Sequence, residues 1–469
     1  MLKCLLAVML FTALSSHAQT TWTLQQCIDQ ALKNNLQLRQ GELNAGLSEN
    51  NLLQSKISLL PTLNGNASQS YNFGRTVDPF TNSFITDRVR SNSFSLSSSV
   101  TLFSGFQNIN NVQKAKYTHL ADQADLEKNR NDIVLAVVNG YLQVLFAQEL
   151  LSTASDQVSY SEKQLERTRN LVGAGALAKG NELDMEAQLA LDQLAEVNAR
   201  NQLDMAYLNL AQWLELPSTD GFSIEKPQLD VDNVAPILEN PTVLSEKAAQ
   251  TLPEIAAAEY RTKGAEKSLA MARGAQSPTL SVSASYGSGY SDARQQLKDI
   301  TLTGVDTIGY TSGGQEVLVP SYSSTYEITP FSDQIDQNFS KAIGFYLSIP
   351  ILNGWRTRTA VGNAKITLEK AHINEEQARN QLRKDVQQAV ADATAAYNKF
   401  RASQKSTDAL QEAFRYTDLK AEQGLVDAVT YIETKNRLAK SRSDLLQAKY
   451  DYFFKLKIVD YYAGKPLTF

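Results

Sequence analysis

The chain has 469 residues, a fifth of them charged, with 45 Lys and Arg against 50 Asp and Glu and a net charge of −5. No basic block exists to neutralise a phosphate backbone, so nucleic acid is excluded as a partner. The three histidines, His17, His119 and His372, stand apart in the sequence, and Cys27 is the one cysteine after Cys4, so neither a metal cluster nor a disulfide framework is expected.

The first eighteen residues carry one Lys, an apolar run from Cys4 to Leu14 and the small-x-small ending Ser16-His17-Ala18. That is the pattern of a secretory signal peptide, with a mature chain beginning at Gln19. Gln25 and Gln26 directly before Cys27 do not suit lipoprotein processing, so no lipid anchor is expected. Past the signal there is no run of 18 or more apolar residues, and a membrane role would therefore need a β-barrel.

Residues 19–240 and 241–469 repeat one plan. Laying 94–217 over 343–466 at an offset of 249 pairs Gly105 with Gly354, Lys116 with Lys365, Leu189 with Leu438 and Pro217 with Pro466, without a gap. An offset of 217 pairs Pro61-Thr62-Leu63 with Pro278-Thr279-Leu280. The chain is read as an internal duplication. In each half a helix ends at a proline, Pro61 or Pro278, and two strands follow, over 62–73 and 92–103 or 279–290 and 339–350. A glycine, Gly105 or Gly354, then turns the second strand into a proline-free helical hairpin, over 106–216 or 354–463.

The strands alternate strictly. Leu63, Gly65, Ala67, Tyr71 and Phe73 lie on one face and Asn64, Asn66, Ser68, Ser70 and Asn72 on the other. Phe94, Leu96, Val100 and Leu102 oppose Ser95, Ser97, Ser99 and Thr101, and Leu280, Val282, Ala284 and Tyr286 oppose Ser281, Ser283 and Ser285. This suits membrane strands with lipid on one side and a polar lumen on the other, and Tyr71, Phe73, Phe103, Tyr286 and Tyr290 could form aromatic girdles. A soluble antiparallel sheet with one wet face has the same period. The signal peptide favours the membrane, and four strands cannot close alone, so several chains must share a barrel. The polar segments 74–91 and 291–338 are expected as exposed loops outside the cell.

In the first hairpin Leu151, Val158, Leu165 and Val172 repeat at sevens, and Ala187, Leu194, Asn201 and Leu208 continue after the turn, the spacing of coiled-coil seams. The leading helix would span roughly 100 Å at 1.5 Å per residue. GAGALAKGN, with Gly173, Gly175 and Gly180, lacks the full phosphate-loop spacing and reads as a hairpin tip; Gly424 and Leu425 mark the second tip. Glu162, Glu166 and Arg169 read as a solvated helix face. Nothing supports an enzyme or a cofactor.

Two copies of helix, Pro-x-Leu strand, loop, strand, Gly-aromatic turn and long helical hairpin, with the tips GAGALAKGNELDMEAQL and GLVDAVTYIETKNRL, resemble the TolC-like outer membrane efflux proteins over essentially the whole mature chain. The resemblance implies a mixed α/β membrane protein. Four β-strands per chain would join a trimeric twelve-stranded barrel in the outer membrane, continued by an α-helical barrel in the periplasm. It implies an exit duct for efflux or type I secretion, a homotrimer working with a periplasmic adaptor protein and an inner-membrane pump of RND or ABC type. In that family acidic residues narrow the periplasmic mouth; the positions fall on Thr430 and Glu433, and on Asn181 and Asp184 in the first repeat. One acid per tip is thus retained. The alternative is a periplasmic coiled-coil scaffold or adaptor without a channel, which would lack paired strands of membrane length.

Overall fold

The computed structural model describes residues 21–78, 80–86, 88–227, 240–423 and 425–465. The signal peptide 1–18, the start at Gln19 and the residues Gly424 and Pro466 lie outside the described residues. The chain divides into two compact units. One holds the residues up to Glu49, Tyr117–Lys263 and Glu369 onward; the other holds Asn50–Lys116 and Gly264–Leu368.

The first unit is built on long helices. β1 (Thr21–Trp22) leads into α1 (Leu24–Asn34) and α2 (Leu36–Ile57). Thr23 and Gln26 form a reciprocal capping box at the start of α1, which satisfies two otherwise orphaned amides. Asn35 does the same between the helices, its Oδ1 accepting from the Gln37 and Leu38 amides at 2.9 and 3.3 Å. The hairpin helices are α3 (Gln107–Gly173) and α4 (Lys179–Trp213), then, after β6 (Ser223–Ile224), α5 (Pro241–Thr251) and α6 (Pro253–Gly274), α8 (Arg356–Glu422) and α9 (Ala428–Tyr462). α3 and α8 each run 67 residues, and α4 and α9 each run 35.

Two cores hold this unit. Cys27, Ile133, Val137, Tyr141, Leu145, Leu210, Phe400 and Tyr452 belong to the larger, and Leu244, Ile255, Leu382, Val386 and Val459 to the smaller. Tyr141 is fully buried, and its hydroxyl donates to the Glu225 carbonyl at 2.6 Å, tying α3 to the chain just past the parallel pair β1–β6. α3 is long and apolar enough over part of its length to match a membrane helix by composition, and Ile133, Val137, Tyr141, Leu142, Val144 and Leu145 of this helix belong to the larger core.

The expected heptad seam holds in α3, where Val158 and Leu165 are buried. In α4 the phase differs. Ala187, Leu194, Asn201 and Leu208 are exposed, and the buried line is Met185, Asp192, Ala199 and Ala206. One of its members, Asp192, and Gln188 one turn away are polar, so hydrophobic spacing alone does not select this seam.

The second unit holds a four-stranded antiparallel sheet in the order β10-β7-β5-β2, from β2 (Thr62–Asn72), β5 (Val89–Phe103), β7 (Thr279–Ser291) and β10 (Ser340–Ser348). The register aligns Val100 with Val282 and Val282 with Phe345, and Leu96 with Tyr286, so one apolar face crosses the sheet. Asn64, Ser97, Ser285 and their neighbours line the other. A β-bulge between Thr101 and Phe103 places Phe103, not Leu102, opposite Leu280. Tyr290 is buried rather than placed on an aromatic girdle: Phe331 packs on it at 5.4 Å and the Arg90 guanidinium lies 5.3 Å over its ring.

The segments expected as loops carry structure. Residues 74–91 hold the small pair β3 (Thr76–Val77) and β4 (Phe84–Ile85), and β5 already begins at Val89. Residues 291–338 hold a long antiparallel pair, β8 (Gln295–Tyr310) and β9 (Glu316–Ile328), followed by the short helix α7 (Phe331–Gln337), whose Phe331 meets Phe94 edge-on at 6.2 Å.

The strand-to-helix turns use paired left-handed residues: Gly105 and Phe106 have φ of +61° and +62°, Gly354 and Trp355 of +58° and +65°. A non-glycine residue there costs about 1–2 kcal/mol, offset by Phe106 packing edge-on against Phe103 and by Arg358 stacking 4.1 Å over Trp355. Pro61 and Pro278 each sit directly before a strand, four residues after the helix end.

Candidate functional site

The two hairpin tips lie in the first unit. α3 ends in a Schellman motif, with Gly175 at φ +76°, its amide on the Val172 carbonyl and the Ala176 amide on Leu171. In the second hairpin the Leu425 amide makes the matching bond to the Lys420 carbonyl. Gly173 closes α3 and Gly180 is the second residue of α4; both have ordinary φ and open space at the Cβ position, so only Gly175 is demanded by the turn.

α9 is capped by Asp427, whose carboxylate accepts from the Thr430 amide at 2.9 Å and from its hydroxyl at 2.8 Å. The Thr430 amide, followed by its hydroxyl, holds the Asp427 carboxyl below the usual range. In the first hairpin Lys179, at 2.6 Å, and then Arg169 hold Glu182 below its ordinary pKa. Arg169 also bridges to Glu186 at 2.6 Å, so it joins α3 to α4 rather than pairing along its own helix.

Between the tips lies a cleft of about 550 Å³. Leu171, Leu177, Met185 and Leu425 give it an apolar lining, with Arg167 and Asp427 among its polar groups. Of the positions singled out in the sequence, Asn181 and Leu425 line it. Asp184, Thr430 and Glu433 are exposed on the tips outside it. Among the described residues neither Asp184 nor Glu433 forms an ion pair, and no group of His, Cys, Asp and Glu is placed to hold a metal ion.

Beneath the tips runs a buried polar network. Lys435 and Asp192, 4% and 7% exposed, pair at 2.9 Å, and both hydrogen-bond Ser161. Burial lowers the Lys435 pKa, against the pull of the Asp192 carboxylate. Gln188 donates to Asp192 at 2.8 Å and exchanges two 3.1 Å bonds with Asn436. Closer to the tips, Asp418 accepts from Tyr160 at 2.8 Å and from Tyr431 at 3.1 Å, and the two phenols touch. The network draws on α3, α4, α8 and α9. Periodicity misses it because charged residues occupy core positions; the signal available was the heptad step from Met185 to Asp192 and the four-residue step from Tyr431 to Lys435.

The family model described as outer membrane efflux protein matches residues 27–214 and 244–453, most of the chain. The chain belongs to this family. It is similar to the outer membrane efflux protein BepC of Brucella suis, 22% identical over 94% of this chain and 85% of that one. It is also similar to TolC of Escherichia coli K12, 23% identical over 96% and 84%. Among solved structures it shares the fold of the CmeC channel of Campylobacter jejuni, with a TM-score of 0.76 at 15% identity over 94% and 85% of the two chains. The open MtrE channel of Neisseria gonorrhoeae gives 0.72 at 19% over 95% and 89%. The protein is thus a TolC-like outer membrane exit duct of the efflux and secretion class, and the scaffold alternative is not favoured.

For this family member the tyrosine pair makes the tips sensitive to alkali. Burial pushes Tyr160 up to about 12 and Tyr431 higher still, above the ~10 of an unfolded tyrosine. The folded state therefore keeps protons that the unfolded state releases, so this stabilisation is fully present below about pH 10 and is lost as pH rises through about 12. Helix content followed by circular dichroism across that window should fall less in the Tyr160→Phe/Tyr431→Phe double variant than in the wild type. An identical decline would contradict this assignment.

Proposed function

We propose that three copies close their sheets into one twelve-stranded barrel in the outer membrane, each edge strand β2 pairing with β10 of the next copy. The observation carrying this reading is the sheet itself: the outer sides of its edge strands β2 and β10 are unpaired among the described residues, and its apolar face, with Ile343, Phe345 and Leu347, is exposed. Lipid tolerates neither open edges nor an unclosed sheet, whereas an exposed apolar face suits it. The equal lengths of α3 and α8, and of α4 and α9, support an internal duplication in which the two hairpins of each copy wall a periplasmic tunnel. The duct carries cargo passively, and we assign it no chemical reaction.

The tips form the periplasmic mouth. The cleft with Leu171, Leu177 and Leu425 is the surface we assign to a periplasmic adaptor protein, which would join the duct to an inner-membrane pump of RND or ABC type. Exposed Glu433 and Asp184, with the capping Asp427, give each copy three acids at the mouth, and a ring of them favours cations. Glu433→Gln should lower the cation-to-anion permeability ratio in planar bilayers severalfold and weaken block by multivalent cations, and Asp184→Asn should do so to a smaller degree. Asp427→Asn keeps the helix cap and removes its charge. Unchanged selectivity in the triple variant would refute the acidic mouth.

A further inference from the structure

The β8–β9 pair is a two-stranded ribbon paired with nothing else among the described residues. Such a hairpin is marginally stable alone in water. Its sequence hides an apolar face. Three bulges, at Leu297/Asp299, Leu302/Gly304 and Thr307/Gly309, each slip the alternation of β8 by one residue. As a result Leu297, Ile300, Leu302 and Val305, spaced three, two and three apart, fall on one face, with Tyr326 and Tyr322 opposite Leu297 and Leu302. Asp299, Thr301, Asp306 and Ser323 fall on the other. The apolar side chains stay open to solvent: Leu302, Tyr322 and Tyr326 are 60–61% exposed.

What covers this face follows from its chemistry and place. Lipid does not, because both outer edges of the ribbon carry unpaired backbone groups that hydrocarbon cannot satisfy. The six apolar residues carry no charge that would select a charged partner. With their neighbours they leave on the order of 1,000 Å² of mainly apolar surface, comparable to what each partner contributes to a standard interface. The ribbon starts four residues after β7 ends and returns through α7 to β10. β10 is an edge strand at which copies meet in the duct reading, so the ribbons of three copies would rise from one ring.

We propose that the apolar faces of the β8–β9 ribbons of three copies pack against one another as a collar beyond the barrel strands. The proposal rests on the trimeric-duct reading. It is tested with two cross-strand pairs of single substitutions in the full-length protein extracted from outer membranes: Leu302→Cys and Tyr322→Cys on the apolar face, Thr301→Cys and Ser323→Cys on the polar face. The native Cys27 is fully buried and its thiol is pushed up to about 12 by burial, so it stays unreactive. A short flexible bis-maleimide should convert the Leu302→Cys and Tyr322→Cys proteins to covalent dimers, the largest product that one reactive thiol per chain allows, in severalfold higher yield than the Thr301→Cys and Ser323→Cys proteins. Light scattering on the same samples separates the two failures. A monomeric mass sinks the duct reading and the collar with it. A trimeric mass with equal or absent cross-linking on the apolar face sinks the collar alone, whether those thiols label freely with a monofunctional maleimide or are shielded by lipid or another protein.

Discussion

Lys435→Met is expected to loosen the hairpin pair more than any surface change at the tips, by about 3–5 kcal/mol, because it leaves the Asp192 carboxylate buried without its counter-charge. The remaining partners, Ser161 and Gln188, are neutral. The size of the effect comes from the orphaned charge and not from the strength of the pair, so Lys435→Met/Asp192→Leu should recover most of the loss. The readout is hydrogen exchange over 185–199 and 431–441, the α4 and α9 segments that carry the pair. Exchange should quicken sharply in the single variant and return toward the wild type in the double one; equal exchange in all three would contradict the assignment. By the same logic Glu433, two residues away but exposed on α9, should tolerate neutralisation. Its charge is open to solvent, so removing it should leave the packing intact.

Gly105→Ala should be the second most damaging change, at about 2–4 kcal/mol, from left-handed strain and overpacking together. A Cβ at this position would stand 2.3 Å from the Gly274 carbonyl oxygen, and a Cβ on Gly274 would stand 2.2 Å from the Gly105 oxygen. Backbone meets backbone at that point, so no side chain can swing aside. Gly354→Ala meets nothing within 4 Å and carries only the cost of its φ of +58°. Both glycines turn a strand into a long helix with a left-handed φ, yet thermal unfolding should separate them by at least about 1 kcal/mol. Equal losses would mean that the close approach to Gly274 is not tight in the folded protein.

Much of the architecture is legible because its signals are local. Proline-free tracts of more than a hundred residues leave room for α3 with α4 and α8 with α9, and strict alternation in Leu280, Val282 and Ala284 marks β7. The β8–β9 ribbon is illegible for the converse reason: each bulge resets the two-residue period, so Leu297, Ile300, Leu302 and Val305 match neither a strand nor a helix template. The α4 seam is missed because Asp192 holds a core position that apolar spacing assigns to a hydrophobe. Tyr290 at a strand end has the sequence appearance of a girdle residue, and only α7 folding back over it decides otherwise. At the tips, the acid expected beside Glu433 is absent from position 430, but Thr430 instead supports the Asp427 cap three residues earlier.

The central claim is that one copy cannot complete the barrel. The most direct test is multi-angle light scattering of the protein extracted from outer membranes in mild detergent, with the detergent contribution subtracted. The account predicts the mass of three chains, held together until the sheet unfolds. A folded particle with the mass of a single chain would contradict it.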